Sequence, residues 1–112
     1  MLTYAVILFA LSAVGGLFLA VRFFQNNPPP IAVALLHGAL AAAGLVIVLL
    51  AVLRGGGNVL TTALVLLVVA ALGGFVLLAR HLKKQAQSRG LIVVHALAAV
   101  AGFLLIVWVV YG

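Results

Sequence analysis

The amino-acid sequence predicts an all-α membrane protein, a four-transmembrane-helix bundle made of two tandem helical-hairpin repeats. Three observations carry that prediction. The chain is 69% hydrophobic, has no Asp or Glu and has a mean hydropathy of +1.53, which leaves no surface that a water-soluble domain would show. Its apolar residues fall into four runs, each near the ~20 residues that a helix needs to cross ~30 Å of hydrocarbon. The second half also repeats the first at an offset of 58 residues. Laid without gaps, Met1–Arg54 falls on Val59–Gly112 and matches Ala13/Ala71, Gly15/Gly73, Gly16/Gly74, Leu19/Leu77, Arg22/Arg80, His37/His95, Ala41/Ala99, Ala43/Ala101 and Gly44/Gly102. A fixed period of this kind sets the architecture before any residue is read chemically. Residues 1–112 therefore read as one transmembrane domain, with repeat one at 1–54 and repeat two at 59–112.

The first run, Leu2–Phe24, has no basic leader and is too long for a signal peptide, so it reads as the first span. Gln25–Pro30 follows as a turn stiffened by three prolines, which also restrict the start of the second run, Ile31–Leu53. Gly55–Gly56–Gly57–Asn58 reads as a short flexible join. The third run is Val59–Ala79; after it Lys83–Gly90 is a more polar and more mobile connection, and Leu91–Tyr111 is the fourth run. The runs are continuous, without apolar and polar alternation, which excludes strands. The absence of cysteine removes disulfides and thiolate ligands.

The six basic residues orient the chain. Arg22 lies in the first connection and Arg80, Lys83, Lys84 and Arg89 in the third, whereas the second holds only Arg54. The positive-inside bias then puts connections one and three in the cytoplasm and both termini on the non-cytoplasmic side, in a membrane read as a bacterial inner membrane. Tyr4, Trp108 and Tyr111 fall at the outer interface and Phe23 and Phe24 near the inner one. The basic cluster sets topology and touches anionic lipid; membrane lipid is the expected partner, nucleic acid is not, and a homo-oligomer is compatible with the sequence.

His37 lies seven residues beyond Pro30 and His95 six beyond Arg89, which at ~1.5 Å per residue puts both about 10 Å inside the cytoplasmic interface. Gly16 precedes Arg22 by six residues and Gly74 precedes Arg80 by six. Two histidines and two Gly-Gly pairs thus share one layer. Small residues line the same stripes: Ala34, His37, Ala41 and Gly44 on one helix, His95, Ala98, Ala99 and Gly102 on another. Close helix packing explains small residues without any ligand, and Ser12–Gly16–Ala20 is a run of that kind. An imidazole in hydrocarbon is costly unless partnered, and apart from Ser12 no hydroxyl or carboxylate is expected at this depth. A tetrahedral metal would want more ligands than the chain supplies, with His81 at the end of the third run, facing the basic interface. A haem iron needs only two axial nitrogens, because the porphyrin brings four.

This pattern resembles the four-helix bis-histidine b-type membrane cytochromes, in particular the haem-binding bundle of the respiratory cytochrome b family. The resemblance implies that His37 and His95, on helices two and four, are the axial ligands of one haem b, and that Gly15, Gly16, Gly73 and Gly74, on helices one and three, make room for the macrocycle. That family carries a second histidine fourteen residues along each ligand helix, where this chain has Ala51 and Val109, so one haem is implied. Arg22, Arg80 and Lys83 stand at the edge where the resemblance puts propionates, although a purely topological role would look the same. The function expected is electron transfer to a redox partner or quinone, a carrier rather than a catalyst. Two alternatives stay open: a small membrane transporter, which would have to couple protons through the histidines without a carboxylate, and a cofactor-free accessory subunit of a larger membrane complex. Hydrolytic chemistry lacks a thiol, a carboxylate or a Ser/His pairing.

Overall fold

The computed structural model describes residues 1–112. Four helices account for nearly all of them: α1 (Leu2–Phe24), α2 (Ile31–Leu53), α3 (Gly57–Leu82) and α4 (Arg89–Tyr111). Each is long and apolar enough to cross a membrane, and at ~1.5 Å per residue a 23-residue helix spans about 35 Å. Consecutive helices run antiparallel around a ring. α1 packs on α2 and α4, α3 on α2 and α4, while α1 and α3, like α2 and α4, stand diagonally opposed without backbone contact. The bundle measures 42 × 21 × 21 Å. Both termini and the α2–α3 join lie at one end, called here the terminal end, and the α1–α2 and α3–α4 turns lie at the other, the turn end.

Three boundaries differ from the sequence reading, and one of them is the end of α3, which continues past Ala79 through Arg80 and His81 to Leu82. Gly57 and Asn58 are not part of a flexible join: they form the first turn of α3, where their carbonyls accept the Thr61 and Thr62 hydroxyls at 2.8 and 2.9 Å. The join shortens to residues 54–56; Gly55 within it (φ 89°) and Gly57 at the start of α3 (φ 86°) adopt conformations that only glycine takes without strain. Arg89 and Gly90 likewise belong to α4, because Ser88 caps it by accepting the Leu91 N–H at 3.2 Å.

The turn end closes twice in the same way. Asn26 (φ 59°) and Lys84 (φ 55°) are left-handed residues just past α1 and α3. Asn27 N–H bonds Arg22 O and Asn26 N–H bonds Phe23 O; Gln85 N–H bonds Arg80 O and Lys84 N–H bonds His81 O, at 2.9 and 3.1 Å in each copy. Both are Schellman closures, which satisfy carbonyls that the helix end would leave open.

The tight core occupies the terminal half. Ala5 and Phe9 of α1, Val48 and Ala51 of α2, Leu60, Ala63 and Leu67 of α3 and Ile106 of α4 form one buried cluster. Glycines admit its larger members: a Cβ on Gly44 would come within 2.8 Å of the Phe9 ring, and one on Gly102 within 2.8 Å of Leu67. These two contacts again stand 58 residues apart. Outward-facing Leu, Val and Phe remain exposed on every helix, a surface that is stable against lipid tails and would aggregate in water. Tyr4, Trp108 and Tyr111 are exposed at the terminal end.

Candidate functional site: the histidine layer

His37 lies in the second turn of α2 and His95 in the second turn of α4, six residues from the start of each helix. The two helices are diagonal partners, so both imidazoles enter the bundle from opposite corners. Their ring centroids lie 6.2 Å apart with the planes at 80°.

Each imidazole has a partner in the chain, contrary to the expectation from side-chain inventory. His37 Nδ1–H donates to the carbonyl of Ser12 at 2.7 Å, and His95 Nδ1–H donates to the carbonyl of Ala70 at 2.7 Å. Acceptor and donor are 25 residues apart in both cases. These acceptors are helical backbone carbonyls, which already serve the N–H four residues on and offer their second lone pair. An inventory of side chains does not register them.

The double glycines explain how an imidazole reaches those carbonyls. Gly16 and Gly74 are the residues four positions after Ser12 and Ala70, and with no side chain there the carbonyl stands open on that face. A Cβ at Gly16 would lie 2.9 Å from His37 Cε1, and one at Gly74 would lie 3.2 Å from His95 Cε1. A Cβ at Gly15 would lie 3.5 Å from His37 Cβ, and one at Gly73 would lie 3.6 Å from His95 Cβ. All four predicted glycines therefore sit at the histidines, and the room they leave is occupied by the imidazole of the same hairpin.

The two hairpins differ in the hydrogen bonding of their histidines by one hydroxyl. The Ser12 hydroxyl, nearly fully buried, donates to the His37 carbonyl at 2.9 Å and its oxygen lies 3.0 Å from His37 Nδ1, giving that N–H two acceptors; a Ser/His pairing that the sequence did not show is thus present, with Nδ1 protonated and so no base for the hydroxyl. At the matching position Ala70 supplies a carbonyl alone.

Tautomer and lone pair follow from these contacts. With Nδ1 carrying the proton in both rings, each Nε2 is the basic nitrogen, and no hydrogen bond within the chain engages it. Neither Nε2 is sealed off among the fully buried unpartnered atoms. Nδ1–H to carbonyl is the arrangement that orients a metal-binding imidazole and raises its basicity. No group of three or more His, Cys, Asp or Glu side chains comes together, so the pair suits an iron whose remaining donors come from a porphyrin. Two imidazoles whose Nε2 atoms make no hydrogen bond are the donor pair that a bis-imidazole haem iron would need.

Arg22 and Arg80 are placed at the turn end but spend their donors on the turns. Arg22 Nη2 bonds the Pro28 carbonyl at 3.2 Å, and Arg80 bonds the Ala86 carbonyl through Nε at 3.1 Å and Nη2 at 2.8 Å. Lys83 caps the end of α3 and is exposed. His81 stands apart from the histidine pair, edge-on to Phe23 with ring centroids 5.7 Å apart. Ser12 is the residue of the site that the sequence hinted at only by depth; its role depends on facing His37 across the α1–α2 interface. Compared with protein-family models, curated proteins and solved structures, the chain finds no match.

Proposed function

We propose that this chain is an integral-membrane electron carrier that holds one haem b between His37 and His95, in a bacterial inner membrane with both termini on the non-cytoplasmic side. The observation that supports it is the matched pair of imidazoles on diagonal helices, each anchored through Nδ1–H to a backbone carbonyl, with ring centres 6.2 Å apart. The haem would supply reversible one-electron chemistry; the protein supplies what surrounds it. His37 and His95 offer their Nε2 lone pairs from rings whose rotation is restricted by the carbonyl bonds. The apolar helices keep water and bulk ions out, which favours electron exchange over hydrolytic side reactions. Five of the six basic residues at the turn end support the proposed orientation through the positive-inside bias.

A second reading rests on the same hydrogen bonds. Each His–carbonyl contact is complete within one hairpin, so the histidines would serve a cofactor-free accessory subunit by latching α1 to α2 and α3 to α4. One experiment separates the two. The protein is purified from cells supplied with haem precursor and its reduced spectrum recorded. Sharp α and β bands that vanish in His37→Ala and in His95→Ala, and persist in His81→Ala, are the expected result. A colourless protein that remains folded, or a spectrum unchanged in His95→Ala, would overturn the haem reading in favour of the latch.

A further inference from the structure

The hydrogen bonds that join one helix to another all involve the two histidines, and they are unevenly shared. Ser12 makes three with His37: its carbonyl accepts Nδ1–H at 2.7 Å, its hydroxyl oxygen lies 3.0 Å from the same Nδ1, and its O–H donates to the His37 carbonyl at 2.9 Å. His95 makes one, to the Ala70 carbonyl at 2.7 Å. The flanking glycines are matched, Gly15 and Gly16 at His37 and Gly73 and Gly74 at His95. Ser12 and Ala70 are also equally buried, each 4% exposed, so the two positions differ by an oxygen and not by their access to solvent.

That oxygen acts on His37 in two ways. As an acceptor it draws the Nδ1 proton outward, and a hydrogen bond at one imidazole nitrogen leaves more electron density on the other, which raises the basicity of Nε2. The low dielectric around the ring strengthens the effect. As a donor to the carbonyl of the same residue, the hydroxyl ties the ring and the main chain of His37 to one point on α1. Rotation of that imidazole would break bonds at both places. The His95 ring pivots on a single bond.

We propose that Ser12 is a positioning residue that makes the two iron-binding imidazoles unequal: through its hydroxyl His37 is the stronger donor and the more firmly held ring, and His95 the weaker. The redox consequence rests on the haem reading. A stronger axial donor favours ferric over ferrous iron, and hydrogen bonding to the ligands is one of the levers by which a protein sets that balance. The Ser12 hydroxyl therefore lowers the midpoint potential of the bound haem. Positions 12 and 70 become a pair of equivalent tuning sites, set to serine in one hairpin and to alanine in the other.

The test compares the parent protein with Ser12→Ala, with Ala70→Ser and with both changes together, always in the full chain. In the haem-free protein, histidine-selective NMR follows the exchange of the two Nδ1 protons with solvent. The His37 proton should exchange more slowly than that of His95, the difference should shrink in Ser12→Ala, and the double variant should invert it. Nδ1 protons that exchange alike in the parent and in Ser12→Ala would overturn the unequal hold itself. In the haem-loaded protein, Ser12→Ala should raise the midpoint by about 40 mV, which is the about five-fold change in an equilibrium that one hydrogen bond supplies taken at roughly 59 mV per tenfold for one electron. Ala70→Ser should lower the midpoint by a similar amount, and the double variant should return to the parent value. A purely structural Ser12 would lose stability in Ser12→Ala and leave the potential where it was. One potential shared by all four proteins would overturn the tuning and leave the haem reading standing, whereas a parent that takes up no haem would overturn both.

Discussion

A methyl group on Gly16 would stand 2.9 Å from His37 Cε1, closer than real Cβ contacts come, whereas one on Gly74 would stand 3.2 Å from His95 Cε1. Gly16→Ala should therefore displace its imidazole more than Gly74→Ala displaces the other, at a cost of about 1–3 kcal/mol for overpacking. Unfolding of the two variants in micelles checks the order, and equal stability would show that the helices can part without loss. Bulkier changes extend the test to the cofactor: Gly16→Leu and Gly74→Leu should lower haem occupancy while the protein still inserts. Normal haem content in both would confine the glycines to packing. Ser12 is the third residue of interest, because its hydroxyl is a hydrogen-bonding group that His37 has and His95 lacks. Loss of its hydroxyl in Ser12→Ala should cost about 1 kcal/mol, in the range measured for hydrogen bonds between membrane helices, and Ala70→Ser should offer His95 the same second acceptor. A Ser12→Ala protein as stable as the parent would show that the Ser12 carbonyl alone holds the ring.

At the scale of the helix, the ends decide more than the middles. Apart from Ser12, His37 and His95 the middles of the helices are apolar, but Lys84 adopts a left-handed backbone that disfavours a residue with a Cβ. Lys84→Gly should raise stability by about 0.5–1 kcal/mol by releasing that strain, a shift visible as a higher unfolding midpoint. No gain would mean that Lys84 recovers the cost through its own contacts. Ser88 acts in the opposite sense. As the side-chain cap of α4 it should be worth about 1 kcal/mol, lost in Ser88→Ala, whereas Pro30 at the matching place opens α2 without a side-chain cap.

The whole molecule is two hairpins packed more closely within themselves than against each other, with their shared buried cluster in the terminal half. The histidine layer lies on the other side of that cluster, toward the turn end, where the core thins. Two predictions belong to this scale. Reporters fused to either terminus should read as non-cytoplasmic; a cytoplasmic C-terminus would invert the orientation and move the histidine layer to the outer leaflet. If both imidazoles hold the iron, no axial position stays open, and carbon monoxide added to the reduced protein should leave its spectrum nearly unchanged. Rapid conversion to a carbon monoxide adduct would show that one histidine lets go.

Read alone, the sequence determined the class and the order of the elements. Hydrocarbon imposes a length and a composition on every spanning helix, and both are written in consecutive residues, so α1 and α2 agree with their runs end to end. The pairing of His37 with Gly15 and Gly16, and of His95 with Gly73 and Gly74, was also visible, because a shared depth can be counted along the chain. Boundaries set by capping were less so: Gly57 and Asn58 resemble a linker until their carbonyls are seen to accept Thr61 and Thr62. Only the tertiary structure decided what the glycines touch and what satisfies the imidazoles. The acceptors are main-chain carbonyls of a neighbouring helix, which every residue possesses and no residue type announces. Which of them an imidazole reaches depends on how two helices face each other, a relation fixed by packing and carried by no single stretch of sequence.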